Sequence, residues 1–547
     1  MNKPSLRVLF FVLIFCFSFF VWYSPVLLKG YAPYKIKDSI LLARNIEISG
    51  VYGYENGKNV ILAPSLAKDS AEQSLAGNRL TAFLYSRVFS ALGFLSPGQL
   101  VLFSIFLNSS ALVVFSIIVS RLFGFKLTAL FSSLYVLAPF NWQQIYSIGS
   151  YEFAIFFVSL FFAFFILGRD NKRENFFLAV SGIFLALAVM AKEAFFLLIP
   201  LVFLYLWFSR GRRFVAPFLV PLILILSVFY VPSFFKKDGG NVYSKLFFAG
   251  SNQEKKFLDF ENYGHLYPDP YTYHFEKGEF LKNYKEQIEN TGFFGSLQMK
   301  KVLANVGERG VGIGERFFLG CSLAFGHMEY FLSLEKGGGP FFLFFAILGL
   351  FFVLKKRDRE LYRFSLFWTL GTLSLLSFVV LASRTHMVDF CWLLPLLSSL
   401  GVFYLLSVFK EQSGFSGKKF YSLSFFLIFV SLFNLYLANR LAFGLIYGET
   451  NSVLKIEDYA RRMKDEKTEK DITAVGFGLQ DSSALNYLSE KSLVIFNPET
   501  VERLIEENKL KEAFDYFEVD YVLGYNDVLS EKIFESSGIK SFPLKAE

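Results

Sequence analysis

The feature that most limits what this chain can become is a series of apolar runs about as long as a bilayer is thick. They fall at 8–28, 99–120, 127–146, 151–167, 175–191, 194–208, 214–232, 338–354, 364–383, 387–408 and 420–440, and nearly all lack Asp, Glu, Lys and Arg. A helix of about 20 apolar residues crosses about 30 Å of hydrocarbon. Of the 547 residues, 54% are hydrophobic and 72 are Phe, and the mean hydropathy of +0.42 places the chain in the bilayer class. The predicted fold is an α-helical polytopic membrane protein with about eleven transmembrane helices.

Lys3 and Arg7 precede the first run, and the sequence after it, through Leu28-Lys-Gly-Tyr-Ala-Pro33, has no small-x-small cleavage site. The run reads as an uncleaved anchor. Basic clusters at Arg121 and Lys126, Arg169 with Lys172 and Arg173, Arg210 to Arg213, Lys355 to Arg357, and Lys410 with Lys418 and Lys419 occupy alternate loops. With the N-terminus inside, all are cytoplasmic, which obeys the positive-inside rule. The long connections 29–98 and 233–337 and the tail are then external. Run 194–208 is short for a full crossing. Phe317 to Leu334 is apolar, but counting it as a span would put Lys355 to Arg357 outside, so it reads as a re-entrant or interfacial helix. Short loops and a compact external tail fit a bacterial inner (plasma) membrane.

Composition excludes several classes. Three cysteines make no disulfide framework, and 55 Lys and Arg against 47 Asp and Glu recur between spans rather than on one face, so nucleic acid is not a partner. The ionisable residues nearest membrane depth, Glu152, Lys192, Glu193, Arg384, His386 and Asp389, sit at predicted outer ends. A charge at the bilayer centre costs at least about 2.5 kcal/mol. No midplane set of charges and no inverted halves argue for transport. The polar chemistry lies at the external rim. His265, His274 and Asp269 lack the short spacing of a zinc set, and Gly307 to Gly314 lacks the strand and Lys-Ser/Thr of a phosphate loop, so it reads as a turn.

The external segments carry the remaining signals. In KIKDSILLARNIEISGVYGYENGK (35–58), Asp38 stands before a short helical run, Ser39 to Ile48, ending at Gly50, and Glu55-Asn-Gly57 marks a hairpin turn. An Asp in that place also serves as an ordinary N-cap. Gly77 to Phe89 reads as an interfacial amphipathic helix, with Leu80, Phe83, Leu84 and Phe89 toward lipid and Arg79 and Arg87 at headgroups. From 447 the composition turns soluble. Strand-like runs 472–478, 493–496 and 520–525 alternate with helix-like stretches 481–490 and 499–517, which predicts a small α/β domain. The division is a membrane module, 1–446, with external loops 29–98 and 233–337, and an extracytoplasmic α/β domain, 447–547.

The first loop, with its Asp, its Leu41-Leu-Ala-Arg-Asn45 helix, its Gly50-Val-Tyr52 and its Gly-bearing hairpin, resembles the first external loop of the GT-C membrane glycosyltransferases. That family includes protein O-mannosyltransferases and bacterial lipid A aminoarabinose transferases. Arg121-Leu-Phe-Gly124, Ser150-Tyr-Glu152, Met190-Ala-Lys192 through Pro200, and Asp389 through Leu397 resemble later segments of the family in order, as do Ala484 to Ser489 and Phe517 to Leu523 in its external tail.

The resemblance implies transfer of a sugar from a polyprenyl-phosphate donor to a lipid, glycan or protein acceptor at the external face. The acceptor hydroxyl must lose a proton as it attacks, which calls for a carboxylate base, and the leaving phosphate calls for a cation or metal. Asp38 matches the family's catalytic acid, and Glu152 its second loop acid, which orients the acceptor or binds a metal. Arg79, Lys192 and Arg384 are candidates to hold the phosphate, or else snorkel to headgroups; His386 is a neighbouring candidate that titrates near neutrality. Where many members have paired acids, this chain has Lys37-Asp38-Ser39, and Asn78 to Thr81 replaces a Pro- and Tyr-bearing stretch. A divalent metal ion is the one cofactor left open, with its ligands unassigned. The competing readings are a surface-polysaccharide polymerase or ligase, and a non-catalytic membrane scaffold or transporter.

Overall fold

The computed structural model describes residues 4–29, 35–36, 38–49, 61–62, 79–149, 151–169, 172–192, 195–196, 198–235, 338–355, 392–412, 418–448, 457, 460–461, 473–476, 482–489, 492–495, 504–516, 519–523, 527–539 and 541–542. Predicted span 364–383, the hairpin turn at 55–57, the helix at 317–334, the histidines at 265 and 274 and the glycine-rich 307–314 lie outside them.

The described residues are predominantly helical. Helix α1 (Pro4–Lys29) is followed by strand β1 (Lys35–Ile36), α2 (Asp38–Ser49), β2 (Ile61–Leu62) and α3 (Arg79–Leu92). Then come α4 (Pro97–Phe123), α5 (Phe125–Leu137), α6 (Pro139–Ile145), β3 (Ser147–Ile148), α7 (Glu152–Leu167), α8 (Glu174–Ala191), α9 (Leu198–Tyr205) and α10 (Val215–Phe235). Beyond the second long connection lie α11 (Gly339–Lys355), α12 (Leu393–Gln412) and α13 (Lys418–Gly448). Among the described residues, α1, α4 and α8 are long and apolar enough to cross a membrane, with mean hydropathies of 2.3, 2.3 and 1.9. Shorter apolar helices flank them. α1 exposes Leu9, Val12, Leu13, Phe17 and Phe20 on one face, a pattern that suits lipid rather than water.

Small residues let the helices approach. Ser104, Ser116, Ser132, Ser159 and Ser181 are fully or nearly fully buried, and Ser116 meets Ser132 across α4 and α5 at 2.9 Å. Serines of this kind hydrogen-bond in a medium that offers no water. α11 crosses α12 where Gly349 rests on the Leu397 carbonyl and Gly401 on the Phe345 carbonyl, leaving no room for a Cβ on either. Trp392, just before α12, stacks on Phe115 of α4 at 5.3 Å and packs on Phe162 of α7 at 4.6 Å.

The predicted span 127–146 is two helices. Pro139 has no N–H to continue the ladder, and Ala138 before it is extended, at φ −68° and ψ 121°. Side chains satisfy the freed carbonyls. Asn141 Nδ2 donates to the Tyr135 oxygen at 2.8 Å, while Trp22 Nε1 and Trp142 Nε1 donate to the Val136 oxygen at 3.0 and 2.7 Å. The break turns the chain into β3. Within the short predicted run 194–208 lies the eight-residue α9, continued by a π-helical turn, Leu206–Arg210.

At the opposite end of α8 from the site described below, Arg210 pairs with Glu174 at 3.2 Å.

In the tail, β4 (Thr473–Gly476), α14 (Ser482–Ser489), β5 (Ser492–Ile495), α15 (Leu510–Tyr516), β6 (Val519–Leu523), α16 (Asp527–Ser537) and β7 (Ser541–Phe542) alternate. Their sheet has the order β2-β5-β4-β6-β7, with every pair parallel. The edge strand β2 comes from the first long connection, pairing Ile61 with Leu493. Parallel neighbours need crossovers, and α14, α15 and α16 lie on them.

Candidate functional site

The site is built where four segments distant in sequence meet. β1 pairs with β3 in parallel, setting Ile36 opposite Ile148, and both side chains are buried. Two residues past β1, Asp38 opens α2; three residues past β3, Tyr151 leads into α7, whose first residue is Glu152. The next residue after Asp38, the fully buried Ser39, donates its hydroxyl to the Gly149 carbonyl. The starts of α2 and α7 are thereby joined. Gly149 has φ +79°, and a Cβ there would lie 2.8 Å from Ile40 Cγ1 and closer still to Ser39 Oγ. Only glycine fits both the backbone and the space.

Glu152 is 1% exposed. Its Oε1 accepts from the Gly149 N–H at 2.6 Å and from the Tyr85 hydroxyl, and its Oε2 accepts from the Tyr151 N–H at 3.0 Å. A buried carboxylate is tolerated only with such donors. Tyr85, on α3, is fully buried between Phe153 at 5.3 Å and Phe103 at 5.7 Å, both meeting its ring near edge-on. Burial first, and then the Glu152 charge, pushes the Tyr85 hydroxyl well above its ordinary value, which keeps its proton on the phenol.

Lys192 caps α8 in an extended conformation and holds its ammonium 4.9 Å from the centre of the Tyr151 ring. Thr81, two residues into α3, donates to the Ala191 carbonyl at 3.0 Å. This bond brings the start of α3, opened by Arg79, to Lys192. Asp38, Glu152, Lys192 and Arg79 are thus gathered at one end of the bundle, Asp38 and Arg79 by their backbone. Arg384 and His386, with Glu193 and Asp389, lie outside the described residues.

α3 corrects one expectation. Leu80 and Phe89, predicted to face lipid, are buried at 6% and 2% exposure, while Phe83 is 43% exposed with Arg87 4.8 Å from its ring centre. The inward face carries Tyr85 and packs on α2 and α8.

α2 is also fixed from its other side. Arg44 is buried, donates from Nη1 to the Tyr487 carbonyl at 2.7 Å, and lies 5.4 and 5.6 Å from the ring centres of Phe94 and Tyr487. The Tyr487 hydroxyl donates to the Leu95 carbonyl at 2.7 Å.

No known family profile matches the sequence, and no curated protein matches it. Solved structures do. The apo oligosaccharyltransferase of Archaeoglobus fulgidus superposes with a TM-score of 0.55 at 13% identity, over 97% of this chain and 69% of that one. The same organism's AglB, in complex with an inhibitory peptide and a dolichol-phosphate, gives 0.54 at 11% identity, over 94% and 69%. Apo ArnT of Cupriavidus metallidurans gives 0.53 at 12% identity, over 98% and 90%. These are GT-C glycosyltransferases. The chain has the GT-C fold.

Within this GT-C fold, the described residues contain no group of three or more His, Cys, Asp or Glu that would hold a metal. Glu152 accepts from Tyr85, Gly149 and Tyr151, a set that suits an anchored carboxylate better than a metal ligand. Sequence reasoning missed Ser39, Tyr85, Gly149 and Arg44. Gly149, between an apolar run and an acid, was the one with a local signal.

Proposed function

We propose that this GT-C protein is an inverting glycosyltransferase. It moves a sugar from a polyprenyl-phosphate donor to a hydroxyl or amine on a glycan, lipid or protein at the extracytoplasmic face. Asp38 takes the acceptor proton as the acceptor attacks the anomeric carbon, and the bond to phosphate breaks with its electron pair leaving on the phosphate oxygen. Lys192, with Arg79, Arg384 and His386, offers charge-assisted donors to that phosphate. Membrane lipid surrounds the module 1–446, and 447–547 forms the external domain, in an inner membrane with the N-terminus cytoplasmic.

The observation that carries this reading is the β1–β3 pairing with its Ser39–Gly149 bond, which sets the start of α2 beside Glu152 and Lys192. The fold agrees, and one protein that shares it was solved with a dolichol-phosphate and an inhibitory peptide. The test compares purified wild type with Asp38→Asn, using radiolabelled polyprenyl-phosphate hexoses and pentoses with membrane lipids and glycans as acceptors. Transfer by wild type and its loss in the variant support the reading. Equal transfer removes Asp38 from the mechanism, and no transfer by either favours a scaffold.

A further inference from the structure

We propose that Glu152 is a positioning residue rather than a reacting one, and that Tyr85 is its working partner. Together they hold the Gly149 segment, and through it Ser39 and the start of α2 that carries Asp38. This rests on the reading of Asp38 as the base.

The argument follows the bonds outward from the carboxylate. Three donors to Glu152 come from the wall of its own pocket: the Tyr85 hydroxyl, the Gly149 N–H and the Tyr151 N–H. A general base or acceptor-orienting acid needs lone pairs turned toward the substrate, whereas Glu152 is 1% exposed, with Oε1 accepting from two protein donors and Oε2 from one. The next link is Gly149. Its N–H is held by Glu152 and its carbonyl by Ser39, so the residue is gripped from both sides. Its positive φ and the contact with Ile40 leave it one arrangement. The last link is covalent, because Ser39 follows Asp38.

Tyr85 fixes the other end. Its ring is wedged between Phe103 and Phe153, with Phe89 at 6.1 Å, so the hydroxyl is aimed without rotamer freedom. Tyr85→Phe removes one oxygen from a packed slot and leaves the ring contacts, so the variant retains its fold.

The experiment uses the full chain in lipid nanodiscs with two readouts. In the transfer assay with a radiolabelled polyprenyl-phosphate hexose, Tyr85→Phe lowers kcat about ten- to a hundred-fold, the scale of a small misplacement of a reacting group, with donor KM unchanged. Ser39→Ala, which touches Glu152 nowhere in the bonds above, does the same, and the double variant is no slower than the slower single one. In hydrogen exchange, Tyr85→Phe raises the rates across 35–49 and leaves α11 and α12 unchanged. Multiplying kcat losses in the double variant, or unchanged exchange across 35–49 in an active enzyme, overturns the clamp. Raised exchange with unchanged kcat overturns its role in positioning. A wild type without transfer, in which exchange still responds to Tyr85→Phe, faults the glycosyltransferase reading and upholds the clamp.

Discussion

The Gly149 N–H donates to Glu152 Oε1 at 2.6 Å, so the turn that ends β3 is fastened to the first residue of α7. This junction is one of the ties that bring the segment 35–49 to the helix bundle, beside the packing of α2 on α3. The Gly149 carbonyl receives Ser39, and β1 lies along β3.

Gly149→Ala is accordingly the most damaging small substitution at this end of the protein. A left-handed backbone costs an alanine about 1–2 kcal/mol, and overlap with Ser39 and Ile40 adds about 1–3 kcal/mol. Thermal unfolding in detergent micelles should show a lower midpoint for this variant than for Gly93→Ala, whose glycine also has a positive φ but has nothing within 4 Å of its Cβ. Equal midpoints would mean that the close approach is not maintained.

The crossing of α11 and α12 depends on two glycines against backbone carbonyls. Gly349→Ala and Gly401→Ala each force the helices apart, at a cost of about 1–3 kcal/mol. Because both glycines sit at one contact, the double variant should lose less than the sum of the singles. Unfolding midpoints of the three variants check this, and full additivity would argue that the contacts are independent.

How much of this was legible in the sequence varies with the range of the interaction. Helix α2 was readable to within a residue, because the Asp before it and the Gly after it are local signals. The break at Pro139 was also local, but an apolar window averages over a single proline, so 127–146 reads as one span. The inward face of α3 was not readable, because lipid and protein interior are equally apolar and periodicity cannot tell them apart. Tyr85 is one of several aromatics on that helix. Its meaning depends on Glu152, 67 residues away, and no pattern in one sequence states that pairing. Likewise the two-residue β2 is too short to show a period, yet it joins a sheet whose other strands lie beyond residue 472.

Arg44 joins α2 to the tail through the Tyr487 carbonyl. Arg44→Met keeps the length of the side chain and removes a buried charged hydrogen bond, worth about 1.5–3 kcal/mol. The tail should then be released more often, and limited proteolysis of the intact protein should cut faster within 449–547 while the helical part survives. An unchanged cleavage rate would show that the sheet pairing of β2 with β5 holds the tail without Arg44.

The central claim is that Asp38 removes the acceptor proton in sugar transfer. Its most direct measurement is the rate of label transfer from polyprenyl-phosphate sugars by purified wild type and Asp38→Asn, at matched protein and with unfolding midpoints compared in parallel. General-base catalysis contributes about 10²–10⁴-fold, so Asp38→Asn should fall by at least about a hundred-fold at an unchanged midpoint. Transfer by Asp38→Asn at the wild-type rate would contradict the account.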